Sequence, residues 1–213
     1  YESHWACHPQ KGSGLTDSHI AVFGDSHSSD MASALRQNGL DVLHVAGAGC
    51  ALGPKLMEGK CRQLADFAKA RIAAGGITQL WLAERFEPRE LRPADIRDLL
   101  AFWHIEGVAL TLFSPMPEFP DMRERMVRAV WLGQRAALPR DQTADAAFFT
   151  PANLALLRAA GVRVIDSGAI FCAGQTVCSP VDGDRLLMVD GQHLSDEGAR
   201  RFGTALVALA EAR

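Results

Sequence analysis

The chain has 213 residues, of which 48% are hydrophobic and 22% are charged. This composition is that of a folded globular protein and excludes an intrinsically disordered chain, because the apolar surface suffices to offset the entropy lost on ordering. The 22 basic and 25 acidic residues leave a net charge of −3 at pH 7. That balance argues against nucleic-acid binding, since phosphate recognition needs a basic excess. No apolar run approaches the ~18–20 residues that a membrane span requires.

Apolar segments alternate with segments of helical periodicity along most of the chain. In chain order, the predicted elements are strand 19–24, helix 29–38, strand 40–45, helix 61–74, strand 77–83, helix 93–104, strand 107–114, helix 122–134, helix 153–160, strand 162–166 and helix 195–212. Residues 135–149 show no clear periodicity and are interpreted as a loop. The alternation predicts an α/β fold, a three-layer αβα sandwich of the flavodoxin-like kind with a central parallel sheet of about five strands.

The first 18 residues differ from the rest in being polar and mixed in composition. We predict that residues 1–18 form a linker or an N-terminal strap and that residues 19–213 form a single domain, as the length favours. The chain opens without an initiator Met and without the apolar stretch of a signal peptide. We therefore expect it to be a piece of a longer protein.

The chain contains five cysteines, which are Cys7, Cys50, Cys61, Cys172 and Cys178. Their spacing does not match the paired Cys or Cys/His patterns of zinc sites, so no metal site is predicted. Two local disulfides, Cys50–Cys61 and Cys172–Cys178, are the simplest pairing and would indicate an oxidising compartment such as a periplasm. Buried free thiols in a cytosolic protein are the alternative.

The first predicted strand ends in the sequence Gly24-Asp25-Ser26-His27. Open parallel sheets bind ligands at the carboxyl ends of their strands. A Gly at this point allows a sharp turn, which puts Ser26 at the start of a helix, where free backbone N–H groups can stabilise an oxyanion. Asp25 and Ser26 are also common helix-capping residues, so a purely structural role is the alternative.

A second polar group, Val189-Asp190-Gly191-Gln192-His193-Leu194-Ser195, precedes the last predicted helix, for which Ser195 is the expected N-cap. A serine nucleophile needs a neutral His within hydrogen-bonding reach, and that His needs an orienting carboxylate. His193 and Asp190 supply both from one short segment, because a spacing of three residues can put the carboxylate beside the imidazole. Without a serine partner, His193 would be interpreted as an ordinary loop residue.

These two segments resemble motifs of the SGNH (GDSL-like) hydrolase superfamily. More narrowly, the chain is similar to the periplasmic SGNH domains fused to type-3 membrane acyltransferases, which O-acetylate bacterial surface polysaccharides such as lipopolysaccharide O-antigen. The resemblance covers the chain from about residue 19 to its end. The residues that carry it are Gly24-Asp25-Ser26-His27, Asp190-xx-His193-Leu194-Ser195-xx-Gly198-Ala199, Gly49-Cys50 followed by Cys61, and Cys172 with Cys178.

The resemblance implies a role for each matching residue. Ser26 would be the nucleophile, His193 the general base and Asp190 the carboxylate that orients it. Gly49 and the Ser26 amide would supply N–H groups to the oxyanion. Asp25 and His27 have no necessary part in such a triad, and both are expected to support the site, His27 as a wall.

The chain departs from the family at the third motif, where an Asn normally donates to the oxyanion. The third predicted strand is followed by Glu84-Arg85-Phe86, and the two Asn residues of the chain, Asn38 and Asn153, lie elsewhere. Arg85 is the candidate replacement donor, and a solvated or ion-paired Arg85 is the alternative. Loss of one such donor can cost about 2.7–4 kcal/mol of transition-state stabilisation, so a slow enzyme or one helped by its partner domain is consistent with this departure.

The resemblance implies a serine-dependent carbohydrate O-acyltransferase, with acetyl as the expected group and an acyl-enzyme as intermediate. The implied partners are a carbohydrate acceptor and a membrane acyltransferase module in the same polypeptide, which would tether a soluble, monomeric domain at the periplasmic side of the inner membrane. No cofactor is expected, since the sequence contains no Gly-rich phosphate loop. No metal is expected, since two adjacent acids and a His do not form a ligand set.

Three alternatives stay open from the sequence. A carbohydrate esterase would use the same triad with water in place of the sugar hydroxyl. A glycan-binding domain without catalysis is kept open by the missing Asn. A cytosolic lipase-like hydrolase is the third alternative, and two disulfides would argue against it.

Overall fold

The computed structural model describes residues 19–86, 91–133, 138–139, 141–172, 175, 177–183 and 185–211. Its strands are β1 (Ile20–Gly24), β2 (Leu43–Ala46), β3 (Gln79–Ala83), β4 (Ala109–Phe113), β5 (Leu138–Pro139), β6 (Arg163–Ile165), β7 (Val177–Cys178), β8 (Val181–Asp182) and β9 (Arg185–Leu186). Its helices are α1 (Ser26–Gln37), α2 (Gly59–Ala73), α3 (Pro93–Trp103), α4 (Met122–Trp131), α5 (Thr143–Phe148), α6 (Pro151–Ala159), α7 (Ser167–Cys172) and α8 (Asp196–Glu211). The predicted strap, residues 1–18, and its Cys7 lie outside the described residues.

A parallel five-stranded sheet forms the centre of the domain, with strand order β2-β1-β3-β4-β6. The chain crosses from one side of β1 to the other between β2 and β3, so the topological switch point lies beside β1. In open α/β sheets this is where a crevice forms at the carboxyl ends of the strands. We therefore expect a functional site among the residues that follow β1.

Helices cover both faces of the sheet, because the β1 side chains alternate between two apolar clusters. Ile20 and Val22 belong to the cluster that contains the buried residues of α1 and α8. Ala21 and Phe23 belong to the cluster that contains those of α2, α3 and α6. The predicted three-layer sandwich is confirmed.

The closest helix pair brings together the two motif segments of the sequence. α8 packs along α1, and a Cβ on Gly203 of α8 would lie 2.1 Å from the carbonyl oxygen of Ala34 on α1. Asn38, which caps α1, also donates from Nδ2 to the Arg200 carbonyl at 2.9 Å. The first half of α8 is therefore fixed against the last turns of α1.

The five predicted strands and the predicted helices are present with shifted ends. α1 begins at Ser26, three residues before the predicted start. The segment 135–149, interpreted as a loop, contains β5 and α5 in its described part. Sequence patterning also missed α7 and the two-residue strands β7, β8 and β9, because such short elements show no periodicity.

Both predicted disulfides are present in the structure. Cys50–Cys61 joins the loop after β2 to the first turn of α2, and Cys172–Cys178 joins the end of α7 to β7. Across the described ranges, every helix is too short or too polar to cross a membrane.

Candidate active site

The turn from β1 into α1 is built around Gly24. Gly24 has a φ of 152°, and a Cβ there would lie 1.7 Å from the carbonyl oxygen of Ala83 at the end of β3. Only glycine permits this approach of the two strands. The chain then turns through Asp25, whose carboxylate accepts hydrogen bonds from the backbone N–H groups of His27 at 2.8 Å and Arg85 at 2.9 Å. Asp25 thus caps α1, and Ser26 is its first helical residue.

The loop before α8 is a compact turn. The Oδ1 atom of Asp190 accepts from the backbone N–H groups of Gln192 at 2.8 Å and His193 at 2.9 Å. The Gly191 carbonyl accepts from the N–H of Phe119 at 2.7 Å, and a Cβ on Gly191 would lie 2.7 Å from the Phe119 oxygen. Ser195 follows the turn, and its Oγ accepts from the N–H of Gly198 at 3.0 Å, as expected of an N-cap.

These two turns bring Ser26, His193 and Asp190 together. Nε2 of His193 lies 2.8 Å from Oγ of Ser26, and Nδ1 of His193 lies 2.8 Å from Oδ2 of Asp190. A proton on Nδ1 is then donated to Asp190, which leaves Nε2 to accept the Ser26 hydroxyl proton. Activation of a serine nucleophile requires a hydrogen-bond relay of this geometry, and the catalytic roles of the three residues stay a prediction.

The Asp190 carboxylate keeps its charge in this position. Burial raises the pKa of Asp190, but hydrogen bonds from the His193 ring and from the backbone N–H groups of Gln192 and His193 outweigh that effect. The pKa of Asp190 therefore lies below its usual value, and an ionised acceptor faces the imidazole.

His27 packs beside the relay without joining it. The His27 ring meets the His193 ring edge to face, with the ring centroids 5.5 Å apart. His27 is buried, and neither of its ring nitrogens has a hydrogen-bond partner among the described residues. Burial lowers the pKa of His27, so its ring is neutral beside His193. The role of His27 as a wall of the site stays a prediction.

Asp30 is a further acid at the site, and sequence analysis missed it. It lies on α1 four residues after Ser26, and its Oδ2 accepts from the N–H of Leu194 at 3.1 Å. Burial raises the pKa of Asp30 to about 6, against the hydrogen bond from Leu194 and the charge of His193, which lower it. A polar residue one helical turn after the expected nucleophile was the available sequence signal.

Arg85, the candidate oxyanion donor, makes two identified contacts. Its backbone N–H donates to Asp25, and its Nε and Nη2 donate to the Glu118 carboxylate at 2.7 Å and 2.9 Å. The guanidinium thus belongs to an ion pair on the wall of a small pocket that Phe86 and Pro115 also line. The oxyanion role of Arg85 stays a prediction.

Gly49, the other candidate donor, lies in the turn after β2 with a φ of 68°. The N–H of Gly47 donates to the Gly24 carbonyl at 3.1 Å, so this turn is joined to the residue that precedes Asp25. The oxyanion role of Gly49 also stays a prediction. Asn153 lies elsewhere: it is buried and donates to the carbonyls of Leu91 and Ala147.

A cleft of about 920 Å³ opens on the solvent side of Asp190, between α4 and the segment that leads into the loop. Its lining is mainly apolar and includes Phe119, Met126 and Val189. Sequence patterning did not predict this cleft, because it forms between elements that are distant in the chain. Among the described residues, no group of three or more His, Cys, Asp or Glu side chains could hold a metal ion.

Comparison with known proteins places the chain in a family. The family model described as "SGNH domain (fused to AT3 domains)" matches residues 2–208. The chain belongs to this family. Comparison with curated protein sequences found no match.

Solved structures share the SGNH fold with the chain. The periplasmic domain of a lipopolysaccharide acetyltransferase from Salmonella ser. Paratyphi A superposes with a TM-score of 0.67, at 12% identity, over 92% of this chain and 84% of that one. The salicylyl-acyltransferase SsfX3 from a tetracycline biosynthetic pathway superposes with a TM-score of 0.53, at 14% identity, over 93% of this chain and 57% of that one. At these identities the likeness shows the fold alone.

Proposed function

We propose that this SGNH domain is a carbohydrate O-acyltransferase, with acetyl as the expected group, that works through an acyl-enzyme on Ser26. The observation that supports the proposal most is the pair of 2.8 Å contacts that join Ser26 to His193 and His193 to Asp190. A serine without such a base is a weak nucleophile. The relay therefore has a chemical use, whereas a capping serine would not need it.

In the first half-reaction, Ser26 Oγ attacks the carbonyl carbon of the acyl donor while its proton passes to Nε2 of His193. Asp190 stabilises the imidazolium that forms. The tetrahedral intermediate collapses as the bond to the donor's leaving group breaks, and His193 returns the proton to that group. Ser26 then carries the acyl group as an ester.

In the second half-reaction, a sugar hydroxyl gives its proton to Nε2 of His193 and attacks the ester carbonyl. The bond to Ser26 Oγ breaks, His193 returns the proton to Ser26, and the acylated sugar leaves. Each intermediate carries an oxyanion next to the start of α1. There the Ser26 amide has no intrahelical acceptor and the positive end of the helix dipole is directed at the charge.

Similarity to known proteins supports the proposed acceptor and partner, and the two disulfides support the proposed location. The family is described as fused to AT3 domains, and one structural neighbour is the periplasmic domain of a lipopolysaccharide acetyltransferase. We infer a bacterial surface glycan as acceptor and a membrane acyltransferase module of the same polypeptide as the source of the acyl group. Two disulfides suit an oxidising compartment, in accord with a periplasmic domain tethered to the inner membrane.

A carbohydrate esterase is the second candidate, and the exposure of the relay favours it. The side chain of His193 is 27% exposed and that of Asp190 is 51% exposed. Water can therefore reach the base, and water and a sugar hydroxyl compete for the same acyl-enzyme.

The test compares products. The chain is incubated with an activated acetyl ester, with and without an oligosaccharide acceptor, and acetyl-sugar and acetate are measured by mass spectrometry. The proposal expects acetyl-sugar that forms only with the acceptor and is lost in Ser26→Ala. Acetate without acetyl-sugar would favour the esterase, and equal turnover by wild type and Ser26→Ala would overturn both catalytic functions.

A further inference from the structure

A second, partly buried carboxylate lies beside the relay, and the mechanism above does not use it. Asp30 lies one helical turn after Ser26 on α1, and its Oδ2 atom accepts from the N–H of Leu194 at 3.1 Å. Leu194 directly follows His193. Asp30, on the helix that begins with Ser26, therefore holds the backbone of Leu194, the residue next to His193.

We propose that Asp30 is a positioning residue with an electrostatic effect on the base. Its carboxylate fixes the loop that carries His193 against the helix that carries Ser26. Its negative charge also favours the imidazolium that His193 becomes when it takes the Ser26 proton. This inference rests on the proposed function, since it concerns the same proton transfer.

The negative charge of Asp30 lowers the stability of the folded state. Burial raises the pKa of Asp30 to about 6, from a usual value of 3.8. Between these two values the folded state binds more protons than the unfolded state, so the stability contribution of Asp30 falls as the pH rises through this window and stays low above it. A neutral Asn could accept the same N–H of Leu194 without this cost. A carboxylate at this position is therefore better explained by a use for its charge.

The charged groups that act on Asp30 come from two segments. His193 and Asp190 act on it from the loop before α8, and Asp25 acts on it from the end of β1. His193 lowers the pKa of Asp30, whereas the two acids raise it. On α8, Asp196 is exposed at the first position, and Glu197 accepts from Arg200 and Arg201. The favourable charge partner of Asp30 in this set is the base itself.

The effect on His193 follows from these charges. Asp190 holds Nδ1, while Asp30 acts from the side of α1. His193 and Asp30 interact electrostatically, and two negative charges near the imidazolium that forms during the proton transfer stabilise it more than one does. During catalysis the imidazolium forms as the Ser26 proton is transferred, so the second charge affects kcat more than KM.

The test compares Asp30→Asn with wild type as a function of pH. Turnover of an activated acetyl ester is measured from pH 5 to pH 9, and thermal unfolding is measured over the same range. We expect the variant at pH 8 to have a kcat about 5- to 30-fold lower with little change in KM. The ratio of the two kcat values should approach one as the pH falls below about 6, because wild-type Asp30 is then neutral as well. The variant should also unfold at a higher temperature than wild type at pH 8.

Two further variants serve as controls. Asp166→Asn removes another carboxylate that accepts a backbone N–H, that of Ala169 at 2.7 Å, on a different helix, at the start of α7. It should keep the wild-type kcat at every pH. Asp30→Ala removes both the charge and the acceptor, and its kcat should be no higher than that of Asp30→Asn.

The outcomes separate this inference from the proposed function. A kcat for Asp30→Asn equal to that of wild type, or lower by the same factor at every pH, would overturn the electrostatic role. A lower unfolding temperature at pH 8 would instead assign Asp30 a structural role. Ser26→Ala is assayed in parallel: turnover independent of Ser26 would overturn the proposed function and this inference with it.

Discussion

Nε2 of His193 lies 2.8 Å from Oγ of Ser26, although the two residues are 167 positions apart in the chain. Two local features produce this contact. Gly24 allows β1 to turn directly into α1, and Gly203 allows α8 to pack against the backbone of α1. The distance between Ser26 and His193 therefore depends on how these two helices pack.

Replacing Asp190 by Asn should remove most of the activity while the domain stays folded. The amide NH2 of Asn can donate to Nδ1, which holds His193 in the tautomer with its proton on Nε2, so that Nε2 no longer accepts from Ser26. We expect kcat to fall by about 1,000- to 10,000-fold with little change in KM, measured with an activated acetyl ester. Asp196→Asn, a neutralised exposed acid at the start of α8, is the matched control. A kcat within about threefold of wild type for Asp190→Asn would contradict the relay.

Gly24→Ala should destabilise the fold severely. The added Cβ would lie 1.7 Å from the backbone oxygen of Ala83, and that oxygen cannot move without displacing β3. We expect the free energy of unfolding to fall by at least about 3 kcal/mol, measured by denaturant titration. Gly53→Ala is the control, because its Cβ would meet only the end of the Leu56 side chain at 3.8 Å. An unchanged unfolding midpoint for Gly24→Ala would show that the two strands do not approach as described.

Much of the fold could be predicted from the sequence, because the elements that build it are long and periodic. The strands that became β1, β3 and β4 are apolar runs, and the helices between them show clear amphipathic spacing. α7 and β7 to β9 were missed because elements of two to six residues have no period to detect.

The candidate site was predicted where its residues carry a motif and missed where only the fold brings them together. Ser26, His193 and Asp190 stand in motif segments, and the structure brings them within hydrogen-bonding distance. Asp30 has no motif, since its contact with Leu194 exists only when α1 meets the loop before α8. The pairing of Arg85 with Glu118 could not be predicted from the sequence either, because it joins the segments that follow β3 and β4 across 33 positions.

His27→Ala should lower kcat through the orientation of His193. The edge-to-face contact of the two rings, with centroids 5.5 Å apart, holds the imidazole from behind. Without this wall the base can rotate away from Ser26, and we expect kcat to fall about 10- to 100-fold. His27→Phe keeps an aromatic edge and should retain kcat within about threefold. Unfolding temperatures are measured to check that both variants stay folded. Equal losses of kcat in the two folded variants would contradict a positioning role for the ring.

The two disulfides should contribute unequally to stability. Cys50–Cys61 spans 11 positions and Cys172–Cys178 spans 6, so the first restricts the unfolded chain more. Replacing both cysteines of a bridge by Ala should lower the free energy of unfolding by about 3 kcal/mol for the first and about 2 kcal/mol for the second. Denaturant unfolding of wild type with and without reductant gives the matched comparison. Insensitivity of the wild-type midpoint to reductant would contradict both values.

The most direct test of the central claim is the mass of the acyl-enzyme. The chain is mixed with an activated acetyl ester, quenched in acid within the first turnover and digested, and the peptide that contains Ser26 is analysed by mass spectrometry. We predict that one acetyl group is found on Ser26 in wild type and that it accumulates more slowly in His193→Ala. No acetyl group on Ser26, or the same labelling of Ser26→Ala at another residue with turnover retained, would contradict catalysis by this serine.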